Sequence, residues 1–487
     1  MAIAALMPAA SANAAGNLTQ QGPKIVPPPL LSGEFGTAVA ISANGDTALV
    51  GAPGYDKGSG VVGVYVRSGG TWALQERLVV PGIHPGTELG RSVALSADGN
   101  TALLGEPGFE EGVGAACLFR RSGTTWQQVG YELVDPASAR KGIKGRAGTS
   151  VALSADGTEG AVGEPVANTA FVVKTTAPHF AEGHTQERKF EGAHEQACMC
   201  GNGFGTSIAL SGDGDTLMIG SSPIVPEEEF AREQGAETVY VRSGSKWTKQ
   251  AGPIVPRGGA TALDGDGNTA LAAKREWGAS VLERSGTSWS VGPQLEPNDA
   301  NLGCGCRHAV LPSLSLSADG QSALIGYRYD HEFVGAAWLF SRSGSKWAQQ
   351  GTKLVGGEMS GEAEFGWGSA LSADGGTAVI GGPDDGEGGA VWFFTRPATP
   401  LAPVVASVSP NKGPAAGGTS VTIEGGYLTA ATAVHFGTAT ASFTVESGTR
   451  ITAQSPPGTP GKVDVTVTTP GGTSAVTKAD RFTYKAH

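Results

Sequence analysis

A turn built on one glycine recurs seven times along the chain, and this recurrence restricts the fold more than any other feature. The intervals between successive turns are 54, 58, 57, 53, 53 and 55 residues, and the glycines are Gly45, Gly99, Gly157, Gly214, Gly267, Gly320 and Gly375. Around the second turn, the segments SVALS and TALLGEP alternate as the two strands of a hairpin. A unit this small cannot bury both its faces, so the units are expected to stack on one another.

A second motif completes most of the repeats. Arg-Ser-Gly-x-x-Trp joins a third strand to a fourth, and it recurs at Arg67–Trp72, Arg121–Trp126, Arg242–Trp247, Arg284–Trp289 and Arg342–Trp347. The repeat that begins near Ala147 has lost this corner, and the repeat near Gly258 is shortened. Seven units of four strands, without helical periodicity, predict an all-β chain folded as a seven-bladed β-propeller. An open array would leave two long edges exposed.

The two ends of the repeat region predict how the ring closes. The seventh repeat stops at Arg396-Pro397 and lacks a fourth strand. The segment LTQQGPKI at 18–25 aligns with WAQQGTKL at 347–354, which is the fourth strand of the sixth repeat. We therefore expect the N-terminal strand to complete the last blade.

Short glycine motifs connect these repeats with a known family. Phe35-Gly36 with Gly51-Ala52-Pro53, Phe204-Gly205, and Phe365-Gly366 with Gly381-Gly382-Pro383 resemble the FG-GAP repeat. That repeat builds the seven-bladed propeller of integrin α subunits and of many secreted bacterial proteins. The resemblance covers roughly residues 17 to 397, and it implies the fold and a tendency to bind at a surface, without specifying a ligand.

The composition changes after the last repeat. Three prolines within residues 397–403 predict a stiff extended spacer, and alternating strands such as Ser420–Ile423, Ala433–Phe436 and Val463–Thr468 predict a small β-sandwich. The motifs that follow the spacer resemble the IPT/TIG domain, an immunoglobulin-like module; they are Ser407-Val408-Ser409-Pro410, Gly413-Pro414, Gly417-Gly418-Thr419, Val434-His435-Phe436-Gly437 and Pro470-Gly471-Gly472-Thr473. In secreted bacterial proteins this resemblance implies a spacer, or an appendage that contacts carbohydrate or protein.

The start of the chain suggests export. Residues MAIAALMPAASANAAG end in a small-x-small pattern at Ala12-Asn13-Ala14 and look like the tail of a secretory signal without its basic start. The predicted organisation is therefore a signal segment at 1–14, the propeller at 15–397, a proline-rich linker at 398–403 and the immunoglobulin-like domain at 404–487. We expect a secreted or extracellular protein, with association to the cell surface left open.

Charge and composition restrict the partners. The 34 Lys and Arg against 45 Asp and Glu give a net charge of −11, and the basic residues are not clustered. This argues against nucleic-acid and anionic-membrane partners. No run of about 18 apolar residues predicts a membrane span. The oligomeric state is not indicated.

The connectors between blades and the loops between second and third strands are expected on one face, here called the long-loop face. Its irregular segments are Gly54–Gly60, Thr175–Asn202, Ser221–Gln234 and Val291–Val310. Long loops on a rigid scaffold commonly carry binding residues, so this face is the predicted binding face. The acidic groups Glu227-Glu228-Glu229 and Asp384-Asp385 are interpreted as solvated loop charges.

Four cysteines fall in two of these segments. Their thiols and the two nearby imidazoles allow three states: disulfides, a zinc or copper(I) site, and inert reduced thiols. The residues are Cys198 and Cys200 with His194, and Cys304 and Cys306 with His308. The fifth cysteine, Cys117, occupies a strand position that holds Trp338 and Trp392 in other repeats, and is predicted to be a buried core thiol.

Two glycine turns come nearest to a calcium loop. They carry Asp213 and Asp215 in the fourth repeat, and Asp264, Asp266 and Asn268 in the fifth. Both lack the later acidic ligand that calcium loops use, and the remaining turns have one carboxylate that a hairpin role explains. Calcium is the only cofactor that the turns suggest. The missing acidic ligand is a departure from integrin propellers, and it weakens the resemblance at these turns.

Three functional hypotheses follow. The first is a non-enzymatic binding or adhesion protein whose propeller loops contact an extracellular protein or glycan. The second is an extracellular enzyme with a metal or acidic site on the propeller face, and the third is an architectural component of an extracellular assembly. No serine-nucleophile elbow, zinc-protease motif or phosphate loop occurs, which favours the first hypothesis.

Overall fold

A computed structural model describes residues 17–28, 33–130, 132–176, 186–192, 203–222, 235–254, 259–274, 277–301, 311–396, 402–426, 428, 431–447, 449–469 and 471–486. The chain divides into two compact units, residues 1–396 and 397–487. Each unit is described separately below.

The first unit consists of short strands. They are β1 (Thr19–Gln20), β2 (Val39–Ile41), β3 (Thr47–Ala52), β4 (Val61–Ser68), β5 (Thr71–Leu78), β6 (Val93–Leu95), β7 (Thr101–Glu106), β8 (Ala115–Ser122), β9 (Thr125–Gln128), β10 (Ser150–Leu153), β11 (Glu159–Glu164), β12 (Thr169–Lys174), β13 (Gln186–Glu191), β14 (Phe204–Leu210), β15 (Thr216–Ser221), β16 (Ala236–Ser243), β17 (Lys246–Ile254), β18 (Thr261–Leu263), β19 (Thr269–Ala273), β20 (Ala279–Ser285), β21 (Ser288–Leu295), β22 (Ser313–Leu316), β23 (Ser322–Tyr327), β24 (Ala336–Ser343), β25 (Lys346–Gln349), β26 (Ser369–Leu371), β27 (Thr377–Gly382) and β28 (Ala390–Thr395). They form seven antiparallel four-stranded sheets: β2–β5 is blade 1, β6–β9 blade 2, β10–β13 blade 3, β14–β17 blade 4, β18–β21 blade 5, β22–β25 blade 6, and β26–β28 with β1 is blade 7. The seven-bladed propeller is confirmed.

A closed circle of backbone hydrogen bonds joins the turns that follow the first strand of each blade. The residue after the turn serine, or after Asp264 in blade 5, donates its N–H to the carbonyl of the equivalent residue in the next blade, with N···O distances of 2.8–3.1 Å. The circle runs through Ala43, Ala97, Ala155, Gly212, Gly265, Ala318 and Ala373 and returns to Ala43. Only small residues occupy these positions. The circle explains why the turn recurs so regularly.

The N-terminal strand completes blade 7, as the alignment of residues 18–25 predicts. Thr19 and Gln20 in β1 pair with Thr395 and Phe394 in β28, and Ile25 forms a second antiparallel bridge to Val391. Leu18 is buried in the core of blades 6 and 7. Because the strand comes from one end of the chain and its partner from the other, this pairing fastens the ring.

Adjacent blades touch at glycines. The glycine next to the end of β3, Gly51, lies so close to Gly90 of blade 2 that a Cβ on Gly51 would stand 2.1 Å from the Gly90 carbonyl oxygen. The same approach joins Gly105 to Gly148, Gly163 to Gly205, Gly220 to Gly259, Gly326 to Gly366 and Gly381 to Gly36. Side chains are excluded at these six contacts. The recurring glycine motifs therefore have a packing origin.

Where an Arg-Trp corner is present, it connects its blade to the blade before it. In blade 2, Arg121 lies over the Trp126 ring at 5.5 Å, its Nε donates to Asn100 in its own blade, and its Nη1 donates to Thr47 of blade 1. The corners of blades 1, 4 and 5 repeat this arrangement. The corner tryptophans are therefore packing residues.

The structure corrects some predicted loops. The segment Gly54–Gly60 contains a single tight turn, α1 (Tyr55–Gly58), and Thr175–Asn202 contains strand β13. Strand β21 extends to Leu295, so the first residues of Val291–Val310 are also in a sheet. Strand β13 was missed because blade 3 lacks the corner motif, and β21 was predicted from its corner but runs further than expected. Two further helical segments are α2 (Phe109–Gly112) and α3 (Pro136–Lys141), and Asp135 caps α3.

The second unit is β-sandwich-like, and its predicted strands are confirmed. The strands are β29 (Val404–Ser409), β30 (Lys412–Pro414), β31 (Ser420–Gly426), β32 (Ala433–Phe436), β33 (Ala439–Ser447), β34 (Arg450–Gln454), β35 (Gly461–Thr469), β36 (Gly472–Thr473) and β37 (Arg481–Lys485). They connect in the order β29-β31-β34-β33-β32-β35-β37-β30, with β36 on β35. Alternate residues such as Val421, Ile423, Phe436 and Phe482 fill one core.

Candidate functional site

Backbone contacts show that the connectors and the loops after the second strands lie together. Gly60, at the end of such a loop in blade 1, bridges Leu89 of the connector to blade 2, and Gly114 bridges Ala147 in the same way. In addition, Gly108 donates its N–H to the Thr87 carbonyl. The long-loop face is therefore built from both kinds of segment.

This face carries a cleft of about 610 Å³ at blade 2. We call it the blade-2 cleft. Its lining comes from the connector between blades 1 and 2, the loop after β7, the end of the fourth strand and the next connector; the residues are Val80–Thr87, Glu106, Gly108–Gly112, Glu132 and Arg146. This volume suits a small ligand or one long side chain.

Glu106 is the unusual residue of the cleft. It ends β7 and is 0% exposed; within the described parts of the chain, no N–H or O–H group reaches its carboxylate, and the Cys117 thiol is the one weak donor beside it. Burial raises the pKa of Glu106 to about 7; the Cys117 thiol lowers it slightly, and the negative charge of Glu132 raises it. A buried carboxylate without a donor is costly, which makes such a group a candidate for ligand binding.

The space around Glu106 exists because Cys117, its diagonal neighbour on the adjacent strand, is small. Cys117 pairs with Leu104, and the equivalent residues in blades 6 and 7 are Trp338 and Trp392. The indole of Trp392 covers Gly382, which stands where Glu106 stands in blade 2, and it donates to the Gly357 carbonyl in the preceding connector. Cys117 is fully buried, as predicted, and fills far less of this volume.

The residue type at one position near the end of the fourth strand explains why Glu106 has no cationic partner in the chain. Blades 3, 6 and 7 carry a lysine at one equivalent position, and each lysine forms an ion pair with an aspartate whose side chain is 1% exposed; the pairs are Lys189–Asp135, Lys353–Asp330 and Lys24–Asp385. Blade 2 has Glu132 at this position, one residue before the bridge of Leu133 to Ala116. A carboxylate therefore stands where the other blades place an ammonium group.

Blade 3 offers a close comparison. Its Glu164 is equivalent to Glu106 and is equally buried, but Thr169 donates to it at 2.7 Å. Burial raises the pKa of Glu164, and the Ser138 and Thr169 hydroxyls together with the charge of Lys189 lower it. The two glutamates thus differ in whether the protein supplies partners.

The cleft is negatively charged. Arg146 is paired with Glu88 at 2.7 Å, and Glu111 is paired with Lys144 at 3.3 Å. This leaves Glu106, Glu110 and Glu132 as carboxylates facing the cleft without an opposite charge at salt-bridge distance in the described chain. The arrangement favours a cationic ligand.

Comparison with known proteins identifies the C-terminal unit. Residues 403–484 match the IPT/TIG domain. No curated protein sequence matches the chain significantly. The β-propeller domain of Cps50 (Swd1) from Myceliophteria thermophila is similar at 12% identity over 78% of this chain and 99% of that chain, with a TM-score of 0.48. Hydrazine synthase from Kuenenia stuttgartiensis is similar at 11% identity over 74% of this chain and 96% of that chain, with a TM-score of 0.45. Such low similarity says nothing about function.

The sequence-predicted cysteine site lies outside the described residues. This applies to all six of its members, His194, Cys198, Cys200, Cys304, Cys306 and His308. Their disulfide, metal and reduced states all stay predictions. Within the described residues of both units, no helix is long and apolar enough to cross a membrane.

The predicted calcium turns use their oxygens within the protein. Asp213 accepts from the Ser211 hydroxyl and the Asp215 N–H, and Asp215 forms a salt bridge with Arg242 at 2.8 Å. Asn268 accepts from Arg284. Across the described ranges, no three His, Cys, Asp or Glu side chains converge as metal ligands. Calcium at these turns stays a prediction.

The turn of blade 5 differs because Asp264 replaces the serine of the other six turns. Its Oδ1 accepts from the N–H groups of Asn268 and Thr269, as the serine oxygen does elsewhere. Burial and the neighbouring Asp266 raise the pKa of Asp264 to about 6, and the pKa of Asp266 is lowered. A protonated Asp264 can thus donate to Asp266 as a serine hydroxyl would.

Replacing Asp264 by serine is expected to stabilise the propeller at neutral pH by about 2 kcal/mol. Because the folded-state pKa is raised from 3.8 to about 6, the native protein loses stability as the pH rises through this interval. The gain of Asp264→Ser should therefore be small below pH 4 and complete above pH 6, which urea unfolding at several pH values measures. Ser317→Asp, the reciprocal change in blade 6, should impose the same pH dependence; equal gains at all pH values would contradict the argument.

The prediction that Asp385 is a solvated loop charge is wrong. Asp384 is exposed, but Asp385 is 3% exposed, forms an ion pair with Lys24 at 2.5 Å and accepts from the Ser360 N–H at 2.6 Å. The error arose because its lysine comes from the other end of the chain. Glu227, Glu228 and Glu229 lie outside the described residues.

The sequence analysis did not single out the residues of the blade-2 cleft. A signal was nevertheless present: Glu106 and Glu164 end apolar strands whose equivalents end in neutral residues, and Glu132 is an acid at a position where four other blades carry Arg77, Lys189, Lys353 and Lys24. Reading the seven repeats position by position would have shown both departures.

Proposed function

We propose that this protein is a secreted or cell-surface, non-enzymatic binding or adhesion protein whose propeller loops contact an extracellular protein or glycan. The observation that carries the proposal is the blade-2 cleft, a concave site on the long-loop face with a buried, unpartnered carboxylate. Rigid blades hold the lining loops, which limits the entropy lost on binding. The TIG domain serves as a spacer or a second contact surface.

The glycine contacts between blades support assignment to the FG-GAP class. The first glycine of each GAP-like motif meets the glycine of the next FG-like motif, at Gly51 and Gly90, and at Gly381 and Gly36. A repeat class that is defined by these two motifs needs a glycine in each of them, because the two backbones touch at this contact. The net charge of −11 and the predicted export signal support an extracellular location.

Arrays of extracellular proteins and glycans, probed with the full chain, test the proposal. We expect at least one ligand to be retained, and we expect Glu110→Lys with Glu132→Lys to weaken its binding at least tenfold, because these changes reverse charges facing the cleft. Changes of exposed residues at the opposite ends of the blades, Asp98→Ala and Asp319→Ala, serve as controls. A ligand lost equally in the control variants would place binding elsewhere, and a chain that self-associates without retaining any ligand would contradict the proposal.

Glu106 also supports a second candidate, an extracellular hydrolase acting in the same cleft. A carboxyl with a pKa of about 7 is partly protonated at neutral pH, as a general acid must be. Turnover of a fluorogenic glycoside or ester library, abolished by Glu106→Gln and retained by Glu164→Gln, would favour this candidate over pure binding.

A further inference from the structure

We propose that the blade-2 cleft binds a lysine side chain of a partner protein, whose ammonium group occupies the place that a lysine of the chain itself occupies in other blades. This inference rests on the proposed binding function and names the group that is recognised. Glu106 is the acceptor at the closed end of the cleft, and Glu110 and Glu132 supply further negative charge.

The other blades provide the template. In blades 3, 6 and 7, the fourth strand sends a lysine to the long-loop face, where its ammonium group meets a buried aspartate. In blade 3, this lysine also acts electrostatically on Glu164, the equivalent of Glu106. Blade 2 has its buried acid at the Glu164 position, not at the positions of these aspartates, and it has Glu132 in place of the lysine. The acceptor is present, and its cation must come from another molecule.

The walls of the cleft suit an aliphatic chain. Val80, Pro81, Ile83 and Phe109 contribute apolar surface, while the carboxylates are those of buried Glu106, half-buried Glu132 and the exposed Glu110 and Glu111. A lysine side chain combines four methylene groups with a terminal ammonium group that has three donors. The apolar walls can pack against the methylenes while the ammonium group satisfies Glu106. A neutral alcohol would not compensate the negative charges of Glu110 and Glu132.

The absence of a nearby tryptophan makes room for this chain. In blade 7, the Trp392 indole fills the equivalent volume and bonds to the connector. In blade 2, Cys117 leaves that volume open. Because burial raises the pKa of the Cys117 thiol well above its usual range, Cys117 stays neutral and adds no negative charge beside Glu106.

Calorimetric titration of the full chain with the peptide acetyl-Gly-Lys-Gly-amide at pH 8 tests the inference. Acetyl-Gly-norleucine-Gly-amide is the matched control, because norleucine has the same aliphatic chain without the ammonium group. We expect the lysine peptide to bind with millimolar or tighter affinity and the norleucine peptide to bind at least tenfold more weakly. Arginine-containing peptide and glucosamine are run in parallel; tighter binding of either would overturn the choice of lysine.

Three single substitutions separate the site from general charge effects. Glu106→Gln should weaken the lysine peptide roughly tenfold to a hundredfold, because a charge-assisted hydrogen bond is lost. Glu164→Gln removes the equivalent carboxylate of blade 3, which has its own partners, and should leave affinity within about twofold. Glu132→Lys should abolish binding and raise the unfolding temperature at pH 8, because the chain then supplies its own ammonium group.

A double variant fills the cleft without adding charge. Cys117→Trp with Glu106→Gly recreates the Trp392–Gly382 pair of blade 7 and should abolish binding. If this variant does not fold, the Glu106→Gln and Glu132→Lys results decide alone. Lysine-peptide affinity that is unchanged in Glu106→Gln overturns the inference.

The affinity should also fall about tenfold between pH 8 and pH 6, because Glu106 must be ionised to accept the ammonium group. The other titratable and charged groups at the cleft are His84, Glu110, Glu111, Glu132 and Arg146 on its lining and Cys117 beneath Glu106. Glu106→Gln should remove this pH dependence, and an unchanged pH dependence in that variant would contradict the role of Glu106.

The inference and the proposed function fail in distinguishable ways. If the arrays yield a ligand that is sensitive to the cleft variants while the lysine peptide does not bind, the binding function stands and the lysine inference fails. If the lysine peptide binds as expected but the arrays retain nothing, the lysine site stands and the adhesion function fails.

Discussion

Deletion of residues 1–26 is expected to destabilise the propeller by more than about 5 kcal/mol. The deletion removes β1 and leaves one edge of β28 unpaired, and it takes Leu18 out of the core of blades 6 and 7. It also removes Lys24, so that Asp385, which is 3% exposed, loses its ion-pair partner. Loss of one partner of a buried ion pair alone costs about 3–5 kcal/mol. Thermal and urea unfolding of the truncated and full chains measure the difference.

A synthetic peptide of residues 17–28 is the control for this deletion. Added in excess, it should restore much of the lost stability, because it can pair with β28 and supply Lys24 to Asp385. A truncated chain that unfolds like the full chain would contradict the role of the N-terminal strand in closing the ring. Rescue by a peptide with Lys24→Met should be weaker.

Replacement of Gly51 by alanine is expected to cost about 3 kcal/mol or more. An added Cβ on β3 would stand 2.1 Å from the Gly90 carbonyl oxygen, and Gly90 lies in a turn that is held because its N–H donates to the Gly105 carbonyl of blade 2. Neither can move without disturbing its own blade, so the contact between blades 1 and 2 must open. The unfolding midpoint in urea measures the loss.

Gly123→Ala is the matched control for Gly51→Ala. Gly123 has a φ of +64°, and a Cβ there would meet no atom within 4 Å. This variant should therefore lose only about 1 kcal/mol, the cost of a left-handed backbone for alanine. Equal losses in the two variants would show that the close approach between blades does not limit the choice of residue.

Much of the fold was predictable because the sequence repeats it. The seven glycine turns and the Arg-Trp corners mark strand ends, and the shared LTQQGPKI and WAQQGTKL patterns revealed the closing strand. Strand β13 was missed because blade 3 has lost the corner motif that marks a fourth strand. Turn residues can be recognised in the sequence, whereas a strand that forms mainly because it pairs with a neighbouring strand carries no such motif.

The candidate site was less predictable. Its face was indicated by loop length, but the segments expected to carry it did not include the connector Val80–Thr87 or the end of β7. Glu106 looks like an ordinary charged residue beside a turn until the sheet shows that it is fully buried. The consequence of Cys117 at a tryptophan position depends likewise on the volume that the indole fills in blades 6 and 7.

The amino-acid sequence by itself determined the number of blades, the closing strand and the sandwich-like module after the propeller, because these follow from periodic patterns and short-range turn chemistry. Only the tertiary structure decided which charges are paired. Lys24 pairs with Asp385, 361 residues away in sequence, while among the described residues Glu106 has no N–H or O–H donor and is close to the negative charge of Glu132. Burial and pairing depend on distances between chain segments that are far apart in sequence, so the chemistry of the cleft emerges only when the ring is closed.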